Sequence, residues 1–135
     1  MQYLLDTNTC IAAMRNHPLV ARRLLALNPG DCGISTITAY ELFTGVEKCA
    51  DPTQERRKVE LFLQMVSLLP FDSIAAVEAA RIRAALEKLG HTIGPYDLLL
   101  AGHALSLRLI LATNNTGEFL RVRGLTVEDW QCPAP

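Results

Sequence analysis

Short β-prone runs alternate with longer stretches of helical period along this 135-residue chain, and that alternation limits its fold more than any other feature. Tyr3–Leu5 and Cys32–Ile37 read as strands, "LLPF" (68–71) as a weak third, Leu109–Thr113 as a fourth and "LTVEDW" (125–130) as a short fifth. The run Leu109–Thr113 lacks polar alternation, as expected of a strand covered on both faces. Between these runs, helices are expected over Thr7–Arg15, Pro18–Leu27 and Thr38 to about Cys49. Three more are expected, from "DPT" at 51–53 to about Ser67, over Ser73–Leu89, and from Pro95 to about Leu107. Ala75, Ala79, Ile82, Leu86 and Leu89 recur at helical spacing and define one apolar face. Strands separated by helices predict an α/β chain, a three-layer α/β/α sandwich around a short, mainly parallel sheet. The length suits one domain over 1–132, with 133–135 ("PAP") a frayed tail.

Composition narrows the function. Half of the residues are hydrophobic and one in five is charged, which suits a globule with a real core. A net charge of −1 argues against a protein that lives on non-specific phosphate contacts. Nucleic-acid binding would have to come from local clusters such as Arg22–Arg23, Arg56–Arg57–Lys58, Arg81/Arg83 or Arg121/Arg123, each of which also suits a solvated helix face. Cys10, Cys32, Cys49 and Cys132 form no CxxC pair and lack histidines at zinc-site spacing, so reduced thiols in a cytoplasmic protein are expected. No signal peptide opens the chain, because Asp6 arrives too early, and no apolar run approaches a membrane span.

The candidate chemistry lies at strand ends. Ligands of open parallel sheets bind beyond the carboxyl ends of the strands. Asp6 follows the first strand, Glu41 falls in the first turn after the second, and Asp97 in the first turn after "IGP". Asn114 and Asn115 follow the fourth strand. Each acid has an ordinary alternative. Asp6 would cap a helix; Thr38-x-x-Glu41 matches a capping box; Asp97 would favour a helix dipole. Together, three carboxylates on one edge would repel one another unless a cation lies between them. A donor set of oxygen alone favours a hard cation, Mg²⁺ or Mn²⁺. Gly45, one turn after Glu41, and Ala101 and Gly102, near Asp97, would leave room for an ion or a phosphate, with helix packing as the other explanation. His103 lies about 120° around its helix from Asp97, away from that edge. His17 and His91 have no nucleophile elbow nearby, and no glycine-rich phosphate loop occurs.

The stretches "YLLDTNTCI", "ISTITAYELFTGVEK", "GPYDLLLAGHAL" and "LATNNTGEFLRVRGLTVEDW" resemble the PIN-domain family over nearly the whole chain, and more narrowly its VapC-type toxins of bacterial type II toxin–antitoxin systems. The resemblance implies a Mg²⁺-dependent ribonuclease, a homodimer, neutralised by a VapB-type antitoxin and reaching operator DNA only through that complex. Its metal-binding acids carry over to Asp6, Glu41 and Asp97, and structured RNA, a tRNA anticodon arm, is the implied substrate. Thr7, Asn8, Thr113, Asn114 and Asn115 would orient acids, water or phosphate. Many members carry a further aspartate where this chain reads Thr113-Asn114-Asn115. Glu118 would take its place or would be a surface loop charge. Two other readings stand beside this one. A phosphatase with a covalent aspartyl intermediate at Asp6 would want a second aspartate where Asn8 sits. A partner-binding subunit would use the acids only as caps.

Overall fold

The structure, a computed structural model, describes residues 1–133. Its five strands form one parallel sheet: β1 (Tyr3–Leu5), β2 (Cys32–Ser35), β3 (Ser67–Leu69), β4 (Ile110–Ala112) and β5 (Val127–Glu128), in the order β3-β2-β1-β4-β5. Helices α1 (Thr7–Met14) and α2 (Pro18–Ala26) join β1 to β2, and α3 (Thr36–Lys48) and α4 (Pro52–Leu63) join β2 to β3. The long α5 (Ser73–Leu89) and α6 (Pro95–Leu107) cross from β3 back to β4, and α7 (Thr116–Phe119) precedes β5. The α/β/α sandwich expected from the alternation of elements is present, with every strand pair parallel.

Strand order explains the layering. The chain winds outward from β1 to β3, then returns to the other side of β1 for β4 and β5, so right-handed crossovers put the two sets of helices on opposite faces. Two separate cores result. Tyr3 and Leu5 face a cluster with Cys10, Val20, Leu42, Val46, Val59 and Phe62 from α1 to α4. Leu4 points the other way, towards Ile82, Leu86, Ala101, Ala104, Leu111 and Phe119. All three residues of β1 are buried, which is why the strand has no polar face.

Several boundaries differ from the sequence expectation. β2 stops at Ser35 because Ser35 caps α3, its hydroxyl accepting from the Ile37 N–H at 3.1 Å. The helix therefore starts two residues before Thr38, and β-branched Thr36 and Ile37, read as strand, lie in its first turn. Leu89 is 67% exposed although it fits the apolar spacing, since α5 ends there on the left-handed Gly90 (φ +71°). Pro29–Asp31, a 3-10 turn, and α7 lay hidden in stretches read as loops. Of the tail expected over 133–135, residues 134 and 135 lie outside the described residues.

Gly102 belongs to packing. A Cβ there would lie 2.5 Å from the Ala79 amide nitrogen, so its absence lets α6 approach the backbone of α5. The expectation that Gly102 makes room beside Asp97 is thereby corrected. His103, on the same buried strip, is 1% exposed and packs edge-on against Phe71 at 5.5 Å. Burial lowers its pKa, with Asp72 acting against that, and Nδ1 has no hydrogen-bond partner. On the opposite side, Arg23 lies over Trp130 (5.2 Å) and Tyr3 (5.9 Å) and pairs with Glu128, tying α2 to β5. No helix among the described residues is long and apolar enough to cross a membrane.

Candidate metal-binding acidic site

The strand order reverses between β1 and β4, and the crevice beyond their carboxyl ends is where an open parallel sheet takes a ligand. Asp6 stands at the end of β1 and Thr113–Asn115 at the end of β4. Asp6 is 3% exposed. It does cap α1, its carboxylate accepting from the Thr9 N–H at 2.8 Å. The Thr9 hydroxyl donates to the Ala112 carbonyl at 3.0 Å, locking the start of α1 to β4. Burial raises the Asp6 pKa, hydrogen bonds from Thr113 and the Thr9 amide oppose that, and the charge of Asp129 adds to the rise.

Asp97 occupies the third position of α6, whose cap residue Gly94 contributes no side-chain hydrogen bond. Its pKa is pushed up to about 6. Burial is the largest cause, followed by the hydrogen bond with and charge of Glu118, then by the charges of Asp6 and Glu41. Four carboxylates thus act on one place. The Asn115 side-chain amide spans two of them, donating to Glu118 Oε2 at 2.7 Å and lying 3.4 Å from Asp97 Oδ2. Glu118 is therefore hydrogen-bonded into the acid edge rather than standing free on the surface.

Glu41 arrives differently from expectation. With α3 starting at Thr36, Thr38 is inside the helix and the proposed capping box is absent. Glu41 lies in the second turn, not the first, and its Oε1 accepts from the Thr7 hydroxyl at 2.7 Å, with Thr38 Oγ1 3.4 Å from that same hydroxyl. Thr7 thus fixes the direction of Glu41, while Asn8 and Asn114 are exposed. Thr113 is buried, and its Oγ1 accepts from the Asn115 N–H at 3.0 Å. A Cβ at Gly45 would meet nothing within 4 Å, so the space beside Glu41 does not depend on that glycine.

Asp129 was missed in the sequence. It follows β5 as Asp6 follows β1, and the strand-end rule applied to the last, two-residue strand would have found it.

As they stand, no three acidic, histidine or cysteine side chains among the described residues are close enough to enclose one ion. The chemistry of the set nonetheless fits a hard divalent cation. The donors are oxygen only, and Asp97 carries a raised pKa with no cation among its causes.

The PIN domain family model matches residues 3–125. The chain belongs to the PIN-domain family. Over 130 residues it is 42% identical to the tRNA(fMet)-specific endonuclease VapC of Shigella flexneri, covering 96% of this chain and 98% of that protein. The protein of that name in Salmonella typhimurium is equally similar. The crystal structure of DNA-bound VapBC from Salmonella typhimurium superposes with a TM-score of 0.91 at 42% identity, covering 96% of this chain and 98% of that one. VapBC2 of Rickettsia felis, bound to a DNA fragment from its promoter, gives 0.91 at 35%, covering 96% and 99%. This PIN domain is accordingly of the VapC type. PIN nucleases generally depend on a divalent metal, which agrees with the oxygen-only donor set.

The metal-free protein should show the acid crowding as a pH dependence. Asp97 has a pKa of about 6 against an ordinary 3.8, so the folded chain holds this proton more tightly than the unfolded one. That contribution to stability is complete below about pH 4 and is lost as the pH rises through about 6. Because the group is only partly buried and solvent screens it, the expected size is on the order of 1 kcal/mol. Asp97→Asn should remove this slope in urea denaturation at pH 4 to 7 in EDTA; an unchanged slope would place the crowding elsewhere.

Proposed function

We propose that this PIN domain, folding as one unit over 1–132, is an endoribonuclease toxin that hydrolyses RNA phosphodiesters with Mg²⁺, Mn²⁺ substituting. The observation that carries this is the convergence of Asp6, Glu41, Asp97 and Glu118 charge at the β1/β4 switch point. Asp6, Glu41 and Asp97 would hold the ion. When bound, it supplies polarisation of the phosphate and activation of a water for in-line attack. Thr7 keeps the Glu41 carboxylate aimed at the edge, and Thr113 does the same for Asp6. Asn115 holds Glu118 against Asp97; beyond burial, the crowding of the two carboxylates raises the Asp97 pKa and would be relieved by a cation between them.

Relatives named tRNA(fMet)-specific endonuclease make a tRNA the favoured substrate; a cut in its anticodon arm is what the family resemblance implies. Solved VapBC complexes make a VapB-type antitoxin the favoured partner, and two of them are bound to DNA; for this chain operator DNA would be reached through that complex. The toxin works in the cytoplasm as a homodimer. A basic antitoxin side chain among the acids would take the place of the ion's charge.

The test is to incubate the purified protein with a total tRNA pool and Mg²⁺, and to sequence the 5′ ends of the fragments. Cuts clustered in one anticodon arm, suppressed by the small protein encoded beside it, are the expected result. Scattered cuts throughout the pool would refute the substrate, and no cuts at all would refute the nuclease.

A further inference from the structure

Two tyrosines stand directly before two of the acids. Tyr40 precedes Glu41 on α3 and Tyr96 precedes Asp97 on α6. Both are exposed, by 54% and 42%, yet they are in contact with each other. Their ring centroids are 5.7 Å apart with the planes tilted by 50°, and the hydroxyls are hydrogen-bonded at 3.1 Å. The pair bridges α3 and α6 at the rim of the acid edge, within the field of Glu41. Neither ring belongs to either buried core cluster.

We propose that the Tyr40–Tyr96 pair is a stacking platform for an unpaired RNA base next to the scissile phosphate. This rests on the nuclease reading of the acids. A phosphodiester held through a cation at Asp6 and Asp97 would send its neighbouring nucleotides over the rim, and the rim here is aromatic. A nucleobase offers a face to such rings, and stacking is tolerant of base identity. Bases inside an A-form helix keep their faces covered, so a platform of this kind admits loop nucleotides and rejects duplex. The mutual hydrogen bond keeps the two rings in place before the base arrives, which lowers the ordering cost of binding. Tyr40 and Tyr96 are therefore positioning residues that set a preference for single-stranded sites.

The experiment uses the full chain with Mg²⁺ and a hairpin RNA carrying the mapped cut in its loop. Tyr96→Ala and Tyr40→Ala should each raise KM by roughly 5- to 150-fold, the range for losing one stacked base, with kcat changed far less. Tyr→Phe at either position keeps a ring and should stay within a few-fold of the parent. In an Asp97→Asn background, 2-aminopurine beside the cut should be quenched on binding, and the quenching should disappear in the alanine variants. Unmoved KM and quenching in the alanine variants overturn the platform while the nuclease stands. Phenylalanine variants as defective as alanine overturn it too, by assigning the effect to the hydroxyl link. A change of oligomeric mass with KM unmoved assigns the rings to contact between copies. Absence of cleavage by the unsubstituted protein removes the nuclease reading and the platform with it.

Discussion

Asp6→Asn and Asp97→Asn are expected to lower RNA cleavage by about 10³-fold or more while leaving the fold intact. A cation bound there would supply several kcal/mol of charge stabilisation, and each ~1.4 kcal/mol is tenfold in rate, so losing the charge of a residue that would ligate it should reach that size. Asparagine is as good a helix cap as aspartate, so the Thr9 N–H keeps its partner and α1 keeps its start. The Asp6 carboxyl is buried with a raised pKa, and neutralising it removes a burial cost instead of a stabilising pair. Asp6→Ala, by contrast, should also cost ~1 kcal/mol of stability through the lost cap. Cleavage rates measured beside thermal melts separate the two roles. Normal cleavage by either asparagine variant would refute the metal site, and melting far below the parent would make capping the main role of the residue.

Withdrawing divalent metal with EDTA should suppress cleavage by a comparable factor, and Mg²⁺ or Mn²⁺ should restore it. Without a cation, an incoming phosphate meets Asp6, Glu41, Asp97 and Glu118 together. A like-charge pair at ~4 Å costs about 4 kcal/mol at an effective dielectric near 20, so even one uncompensated pair approaches a 10³-fold loss. Ca²⁺ should bind the same oxygens but support little turnover, because its looser coordination orients the attacking water poorly. Binding has a readout of its own. At ~100 times its Kd, a cation that binds only the folded chain adds about 2.7 kcal/mol, which a thermal melt detects without RNA. Full activity in EDTA would remove the metal from the mechanism. Restoration of activity with no thermal shift would move the ion from the protein to the RNA.

The arrangement has a consistent physical logic. The acids are held by groups that also build the fold: Thr9 ties Asp6 to β4 through the Ala112 carbonyl, and Thr7 ties Glu41 of α3 to the start of α1. Asp6 and Glu41 are thereby tied to the start of α1 and, through it, to β4, while the carboxylates would still have to close on one another to hold an ion. The exposed ion pairs, such as Arg83–Glu87 and Arg56–Glu47, contribute little beside this.

The sequence alone determined the class of fold and singled out the three candidate acids. Strand and helix signals differ in period, and a strand buried on both faces cannot hide its apolar run, so Tyr3–Leu5 and Leu109–Thr113 announced a parallel sheet with helices on both sides. An acid directly after such a strand reads singly as a helix cap, which Asp6 is, and only its company with Glu41 and Asp97 points to chemistry. The tertiary structure decided what depends on strand order and on side-chain reach. Only the return of β4 to the side of β1 makes the switch point that brings Thr113 beside Asp6, and no local pattern encodes that neighbour relation. The start of α3 was misplaced by two residues because Ser35, a cap, outweighed the β-branched residues after it, and Glu41 found its partner in Thr7, 34 residues away. Glu118 reads more readily as a loop charge, and only α7 carries it beside Asp97; Asp129 escaped notice because two residues of strand give too little period to see. Periodicity is local and survives in the sequence; electrostatic neighbourhood is long-range and exists only once the sheet has closed its order.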